Sequence, residues 1–228
     1  PSYLNLALSE VLFLDSVFGA RREQWDALPD LCNELRHQLN SLHEAISVMS
    51  TENFGAYALD PTHITIQLKG FDGYLFQSKL ATRGILVEKA TPDTLMLLVS
   101  GKLLENDTRN WLLLQFKEVL KELEFVPGRV FPSPPPMLPE HIVMTLREAH
   151  RAQRVGVPLE FSVGRTAGQS ASPYPPGIPV IQSGMIITQA AVDYIYLVSR
   201  LGGRVRGLNM SDPIIQVITE QECNHEHK

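Results

Sequence analysis

The chain has little cysteine: Cys32 and Cys223 are the only two in 228 residues. They stand far apart, so no disulfide framework is expected, and the usage fits a reducing compartment, the cytoplasm. Positive charge is also scarce. Twenty lysines and arginines against 25 acids leave a formal charge of −5, which argues against a nucleic-acid partner, whose phosphates reward a basic surface. No apolar run reaches the roughly 18 to 20 residues of a bilayer crossing, so no membrane association is expected. The opening PSYLNLALSE lacks a basic stretch and a small-residue cleavage site, and is not read as a signal peptide. It also lacks an initiator methionine, which suggests a processed chain or a piece of a longer one. Neither G-x-S-x-G nor H-E-x-x-H occurs, which removes the commonest serine-hydrolase and zinc-peptidase readings.

What is present is an ordinary globular composition, 44% apolar and 20% charged, enough for a real core. Residues 2–18 are apolar on most sides, with Asn5, Ser9 and Ser16 on one narrow stripe, the pattern of a largely buried helix. Leu28, Leu31, Leu35, Leu39, Leu42, Ile46 and Met49 recur at steps of three and four. That spacing predicts one long amphipathic helix, with Asp26 as N-cap and Pro29 in its first turn. HITIQL (63–68) alternates as a half-buried strand. A short helix over 72–83 ends at Gly84, and ILVEKA and TLMLLVS read as strands joined by a Thr-Pro-Asp turn. Asn106 or Asp107 caps a helix to about 125, with Leu112, Phe116, Val119 and Leu123 facing inward. The proline-rich 126–140 should run extended, as a structural crossover or an SH3-type ligand. A helix over about 139–153, a helix from Thr188 to Leu201 closed by Gly202 and Gly203, and a final strand IIQVI complete the pattern. The fold class expected is α/β, in its α+β form.

Two further stretches invite chemistry. Cys223, His225 and His227 in the tail could ligate a metal, but no second ligand pair accompanies them, and a frayed terminus accounts for them. No metal site is expected. The glycines and arginines of RLGGRVRG (200–207) follow a helix rather than open one, so a helix C-cap leading into a strand explains them better than a phosphate loop. PYPPGIP (173–179) is different. Pro175 and Pro176 freeze two φ angles, and Gly177 permits backbone geometry closed to other residues. Such a loop is rigid at low entropic cost, as the wall of a binding cleft or as a structural corner.

The longer stretch VPLEFSVGRTAGQSASPYPPGIPVIQSGMIIT resembles the C-terminal signature of the Orn/Lys/Arg decarboxylases. These are pyridoxal-phosphate enzymes of the aspartate-aminotransferase fold type that act on basic amino acids. PSYLNLAL resembles the family's S-P-S-Y-L stretch after its cofactor lysine. DPTHITIQLKG resembles the D-P-x-K-x-x-I opening of its C-terminal domain, with His63 in place of lysine. RGILVEKATPDTLMLLVSGK resembles the strands that follow, and MTLREAHRA the M-T-P-R-E-A-F-x-A element, with Leu146 in place of proline. The likeness is colinear and spans nearly the whole chain.

The resemblance implies that residues 1–52 are a helical segment from the end of the large pyridoxal-phosphate domain, and 53–228 the family's C-terminal domain. It places Arg165, Gln169, Tyr174, Pro175, Pro176, Gly177 and Met185 at a substrate cleft, and Ser2 and Tyr3 near the cofactor phosphate. It implies pyridoxal phosphate as cofactor, a role in polyamine biosynthesis, a dimer or other homo-oligomer, and an N-terminal polypeptide as partner. None of the seven lysines stands in the S-x-H-K context of the Schiff-base lysine, so no catalytic residue is assigned and the chain alone is expected to be inactive. Where the family pattern has glutamates stand Gln169 and Met185, removing charge that would pair with the distal cation of the substrate. Two readings therefore stay open: the C-terminal part of a decarboxylase, or a non-catalytic relative retained as a binding or assembly module.

Overall fold

A computed structural model describes residues 2–19, 22–55, 58–99, 101–135, 141–174 and 177–219. The chain divides into two compact units, residues 1–130 and 131–228.

The first unit is organised by a four-stranded antiparallel sheet in the order β1-β2-β4-β3. Its strands are β1 (Ile46–Val48), β2 (His63–Leu68), β3 (Lys89–Thr91) and β4 (Thr94–Leu98). β2 follows its alternation: Ile64, Ile66 and Leu68 are buried and the residues between them are half-exposed. It pairs with β4 from His63 opposite Leu98 to Gln67 opposite Thr94, so Leu95 and Leu97 join the same buried face. Helices α2 (Arg22–Asn40), α4 (Gly73–Thr82) and α5 (Asn106–Glu122) supply the rest of this core, and a single turn, α3 (Thr51–Phe54), lies between β1 and β2 in sequence. The Phe76 and Phe116 rings lie 5.5 Å apart, one from α4 and one from α5. Leu112, Phe116, Val119 and Leu123 are buried as the spacing predicts, although the cap of α5 is Glu105 and its side chain makes no capping bond. Asp72 caps α4 by accepting from the Tyr74 and Leu75 N–H groups. Gly73 is required there, because a Cβ would sit 2.2 Å from the Thr91 carbonyl oxygen.

Two helical expectations need correction. The long helix does not reach Met49. It begins at Arg22 and stops at Asn40, with Asp26 and Pro29 inside it rather than at its start. The Asn40 Oδ1 accepts from the Val48 N–H at 3.0 Å, and Ile46 and Val48 pair with Leu68 and Ile66 of β2. A turn followed by a strand therefore continues an apolar spacing that reads as helix. Helix α1 (Tyr3–Phe18) forms as expected but is not buried: none of its 16 residues is, and Tyr3, Leu4, Leu6, Val11, Leu12, Phe13 and Phe18 are all more than half exposed.

The second unit is built from short strands and hydrogen-bonded loops. β5 (Arg154–Pro158) pairs antiparallel with β8 (Ile214–Ile218). The ladder continues without regular strands: Gly168 N–H donates to Gln216, Ala167 N–H to Met185 and Ile186 N–H to His141. A separate two-stranded antiparallel pair joins β6 (Ser172–Tyr174) to β7 (Arg204–Arg206), which follows the helix between them in sequence. Helix α7 (Gln189–Arg200), capped by Thr188, buries Ala191, Val192, Tyr194, Ile195 and Val198 on one stripe. The helix expected over 139–153 is only α6 (Leu146–Arg151). Upstream of it, Val143 and Met144 both donate to the Gly184 carbonyl, which holds the chain extended until the Thr145–Glu148 capping box starts the turn. The part of 126–140 that is described, through Pro135, carries no helix or strand.

Among the described residues every strand pairing is antiparallel, the α+β form of the expected class. Among them, too, no single helix is long and apolar enough to cross a membrane.

Candidate functional site

The PYPPGIP stretch lies at the tip of the β6–β7 region. Gly177 has φ +89°, the left-handed geometry its place in the sequence predicts, and its N–H donates to the Pro173 carbonyl at 2.8 Å. Pro175 and Pro176, between those two anchors, lie outside the described residues. Tyr174 is half-buried. It stands opposite Arg204 in the pair, and the Arg206 guanidinium stacks on its ring, 3.7 Å from the centroid. Strand alternation puts Ser172, Tyr174, Arg204 and Arg206 on one face, and both arginines are exposed.

Gln169 braces this pair from below. Its Nε2 donates to the Gly207 carbonyl at 2.6 Å, and Gly207 follows β7 directly. A glutamate here would present an ionised carboxylate to a carbonyl oxygen, two acceptors without a proton between them. The amide is therefore suited to what the structure shows at this position. Gly207 itself, at φ +89°, passes so close to Ser170 that a Cβ would lie 2.2 Å from the Ser170 oxygen.

Met185, which the resemblance places at a cleft, is 2% exposed and packs in the core of the second unit. The turn Gln182-Ser183-Gly184-Met185 closes with the Met185 N–H donating to Gln182, and Gly184 has φ +90°. The Met185 sulfur then accepts from the Gln182 N–H at 3.0 Å. A side chain here caps its own turn from inside. Arg165 lies on a neighbouring segment, its carbonyl accepting from Ile187 N–H. Its guanidinium is half-exposed and has no hydrogen-bond or ion-pair partner among the described residues. Thus Gln169, Tyr174, Gly177 and Arg206 gather at the β6–β7 pair, Arg165 is an available cation, and Met185 is interior. Ser2 and Tyr3 lie in the first unit, exposed at the start of α1, where the Ser2 side chain makes no capping bond.

The described residues do not by themselves fit a resident aldehyde cofactor. Such a group needs a lysine held out of solvent against it. None of the six described lysines is buried, and Lys79 and Lys121 are engaged by Glu122 and Glu118. Among the described residues no cluster of acid, histidine and cysteine side chains could hold a metal ion. The tail's Cys223, His225 and His227 lie outside them.

Sequence reasoning passed over two residues. Arg206 was treated only as part of a helix-to-strand connection, although its two-residue offset from Arg204 beside an aromatic strand was visible. Arg36 was passed over although it falls on the apolar stripe of α2, four residues after Cys32 and three before Leu39. It is 9% exposed.

Residues 134–219 match the family model described as Orn/Lys/Arg decarboxylase, C-terminal domain. Among curated proteins the chain is similar to an arginine decarboxylase of Bacillus subtilis, 29% identical over 97% of this chain and 46% of that protein. It is also similar to an arginine decarboxylase of Halalkalibacterium halodurans, 30% identical over 78% of this chain and 37% of that one. The chain thus spans less than half the length of these relatives. Among solved structures it is similar in fold to the constitutive lysine decarboxylase of Escherichia coli, with TM-score 0.69 and 18% identity over 96% of this chain and 44% of that one. The lysine decarboxylase of Francisella novicida gives TM-score 0.62 and 17% identity over 87% and 40%.

Proposed function

Because the chain carries the C-terminal domain of the Orn/Lys/Arg decarboxylase family over residues 134–219, we propose that it is the C-terminal part of a pyridoxal-phosphate-dependent decarboxylase of basic amino acids, active only when joined by the family's N-terminal region. The observation that carries this reading is α1: sixteen residues, apolar on most sides and none buried. An apolar helix so exposed is suited to a covering surface, and the described residues of its own unit bury none of it. In this reading residues 1–52 belong functionally with the large domain, and Ser2 and Tyr3 approach the cofactor phosphate. Pyridoxal phosphate, held by the N-terminal region, supplies the electron sink that decarboxylation needs. This chain supplies a rim. The β6–β7 pair, with Tyr174 and Gly177 beside it, keeps the cleft wall rigid, Gln169 positions it through Gly207, and Arg165 offers a cation to an anionic group in the cleft. Assembly as a homo-oligomer, a cytoplasmic location and a role in polyamine biosynthesis belong to the same proposal.

A second reading, a non-catalytic module, draws on Gln169 and Met185, where the family pattern has carboxylates. The buried setting of Met185 weakens it, since a side chain pointing into the core is in no position to grip a substrate's distal cation. The two separate in one assay. The chain is supplied with pyridoxal phosphate and with arginine, lysine or ornithine, first alone and then together with the family's N-terminal region, and carbon dioxide release is measured. Release only in the second case is expected. No release in either, from well-folded protein, would favour the non-catalytic module.

A further inference from the structure

We propose that the free edge of β5 is a self-pairing surface, on which a second copy of this chain adds the same strand antiparallel to it. The proposal is independent of the decarboxylase reading and rests on the second unit alone. β5 reads Arg-Val-Gly-Val-Pro, and no residue in it is buried: four are exposed and Val157 is half-exposed. Its neighbour β8 is bonded on both sides. On the side away from β5, the Ile218 N–H donates to Thr166 and the Gly168 N–H donates to Gln216. Antiparallel alternation then turns the backbone groups of Ile215 and Val217 toward β5, where they stand opposite Val157 and Val155. The flanking bonds keep the same parity, with Leu159 N–H donating to Pro213 and Thr219 N–H donating to Gln153. The even positions of β5 are left over. The N–H and C=O groups of Arg154 and Gly156, and the Pro158 carbonyl, point to the open side, where no hydrogen-bonding partner stands among the described residues.

Exposed strand edges are ordinarily protected by a charge held over them or a proline within them. Here the charge is withdrawn. Arg154 folds back: its Nη2 donates to the His150 carbonyl at 2.8 Å, and its Cδ packs on Gly168, where a Cβ would lie 3.0 Å away. The middle of the edge, Gly156, has no side chain, and Pro158 removes a donor at one end only. The edge is also its own complement. Setting Gly156 opposite Gly156 of a second copy creates a two-fold axis between the strands. Each Gly156 N–H then meets the other Gly156 carbonyl, and each Arg154 N–H meets the other copy's Pro158 carbonyl. Every outward N–H is used, and the donor that proline lacks leaves only the Arg154 carbonyl to water. Val155, 40% exposed, comes opposite Val157 of the second copy, on the face that carries the fully buried Ile215 and Val217. The two arginines stay at opposite ends of the pair, so like charges do not meet. Strand addition of this kind draws its affinity from main-chain bonds and its register from the side chains between them.

The test is amide hydrogen exchange of the 228-residue chain, read residue by residue by NMR across a concentration series from micromolar to millimolar. An alternating pattern is expected. Val155 and Val157 are protected at every concentration by β8, whereas Arg154 and Gly156 gain protection as concentration rises. Val155→Asp sets a carboxylate against Val157 of the second copy, and should raise the concentration for half-protection about tenfold. The Val157 and Val217 amides, still protected, report that the unit remains folded. Arg154→Pro deletes one outward donor and no bond to β8, and should weaken Gly156 protection in the same way if Val155→Asp does not fold. Association through α1 alone would protect Tyr3–Phe18 and leave Arg154 and Gly156 open. A segment of the same chain lying on the edge would protect both residues at all dilutions, with or without the substitution. Either of those results, or open exchange at Arg154 and Gly156 up to the highest concentration, overturns the proposal.

Discussion

Helices α1 and α7 are both rich in apolar residues, yet α7 buries five side chains inside its own unit and α1 buries none. The difference lies in distribution rather than amount. In α7 the sequence QAAVDYIYLVSR places Gln189, Asp193 and Arg200 away from the buried stripe, so one neighbour surface satisfies it. In α1 the leucines and phenylalanines fall on every side but one, so no single packing partner within the unit can cover them. A one-sided helix suits one neighbouring surface; an all-round apolar helix needs more than one. The chain holds both.

The sharpest way to break that contrast is to truncate an aromatic in each setting. Phe116→Ala, which empties a fully buried position against Phe76, should cost about 3 to 5 kcal/mol in urea unfolding. Phe13→Ala in α1, 62% exposed, should stay within about 0.5 kcal/mol in the chain alone, while weakening association with the N-terminal region. Equal costs at the two sites would mean that α1 is already packed.

Met185→Glu puts a carboxylate at an interior position. It should cost about 2 to 4 kcal/mol at neutral pH, because a carboxylate is desolvated with one turn N–H to meet it. Burial raises the folded pKa of the introduced carboxyl, so the folded state binds the extra proton. The penalty should therefore shrink toward pH 4 and grow as pH rises through the carboxylate range. A pH-independent loss, or none, would show that the position opens to solvent.

Gly207→Ala tests the brace under the β6–β7 pair. A positive φ and a 2.2 Å approach to Ser170 predict a loss of about 1 to 3 kcal/mol, with the Gln169 contact broken. Tyr174 fluorescence or the Gln169 side-chain amide shift would register it. The smallest effect belongs to the capping box of α6. The Thr145 N–H and hydroxyl hold the Glu148 carboxyl below its usual pKa. Its support is present above the ordinary carboxylate value and disappears as pH falls through the depressed one. Amide exchange at Thr145 and Glu148 should quicken in that acid window only.

These contrasts also mark what could be read in advance. β2 was legible because alternation has one interpretation, and α5 because Leu112, Phe116, Val119 and Leu123 repeat over a full helix length. The end of α2 was not, since Leu42, Ile46 and Met49 keep a helical spacing across a turn that Asn40 closes through a bond eight residues ahead. In the second unit, period carried little: its strands are short, and they are supplemented by single bridges such as Ile142 with Met185 and Thr166 with Ile186. Inward and outward positions there depend on which carbonyl each N–H meets. That is why the burial of Met185 was not legible, and why the link from Gln169 to Gly207, 38 residues apart, left no local trace. Gly177 was legible for the opposite reason. Its geometry is set by its immediate neighbours.

The most direct measurement is hydrogen exchange over Tyr3–Phe18, in the 228-residue chain alone and in the chain joined to the family's N-terminal region. The account predicts exchange within the fast, solvent-open range for the isolated chain, and protection comparable to α7 once joined. Full protection of α1 in an isolated, monomeric chain would contradict it.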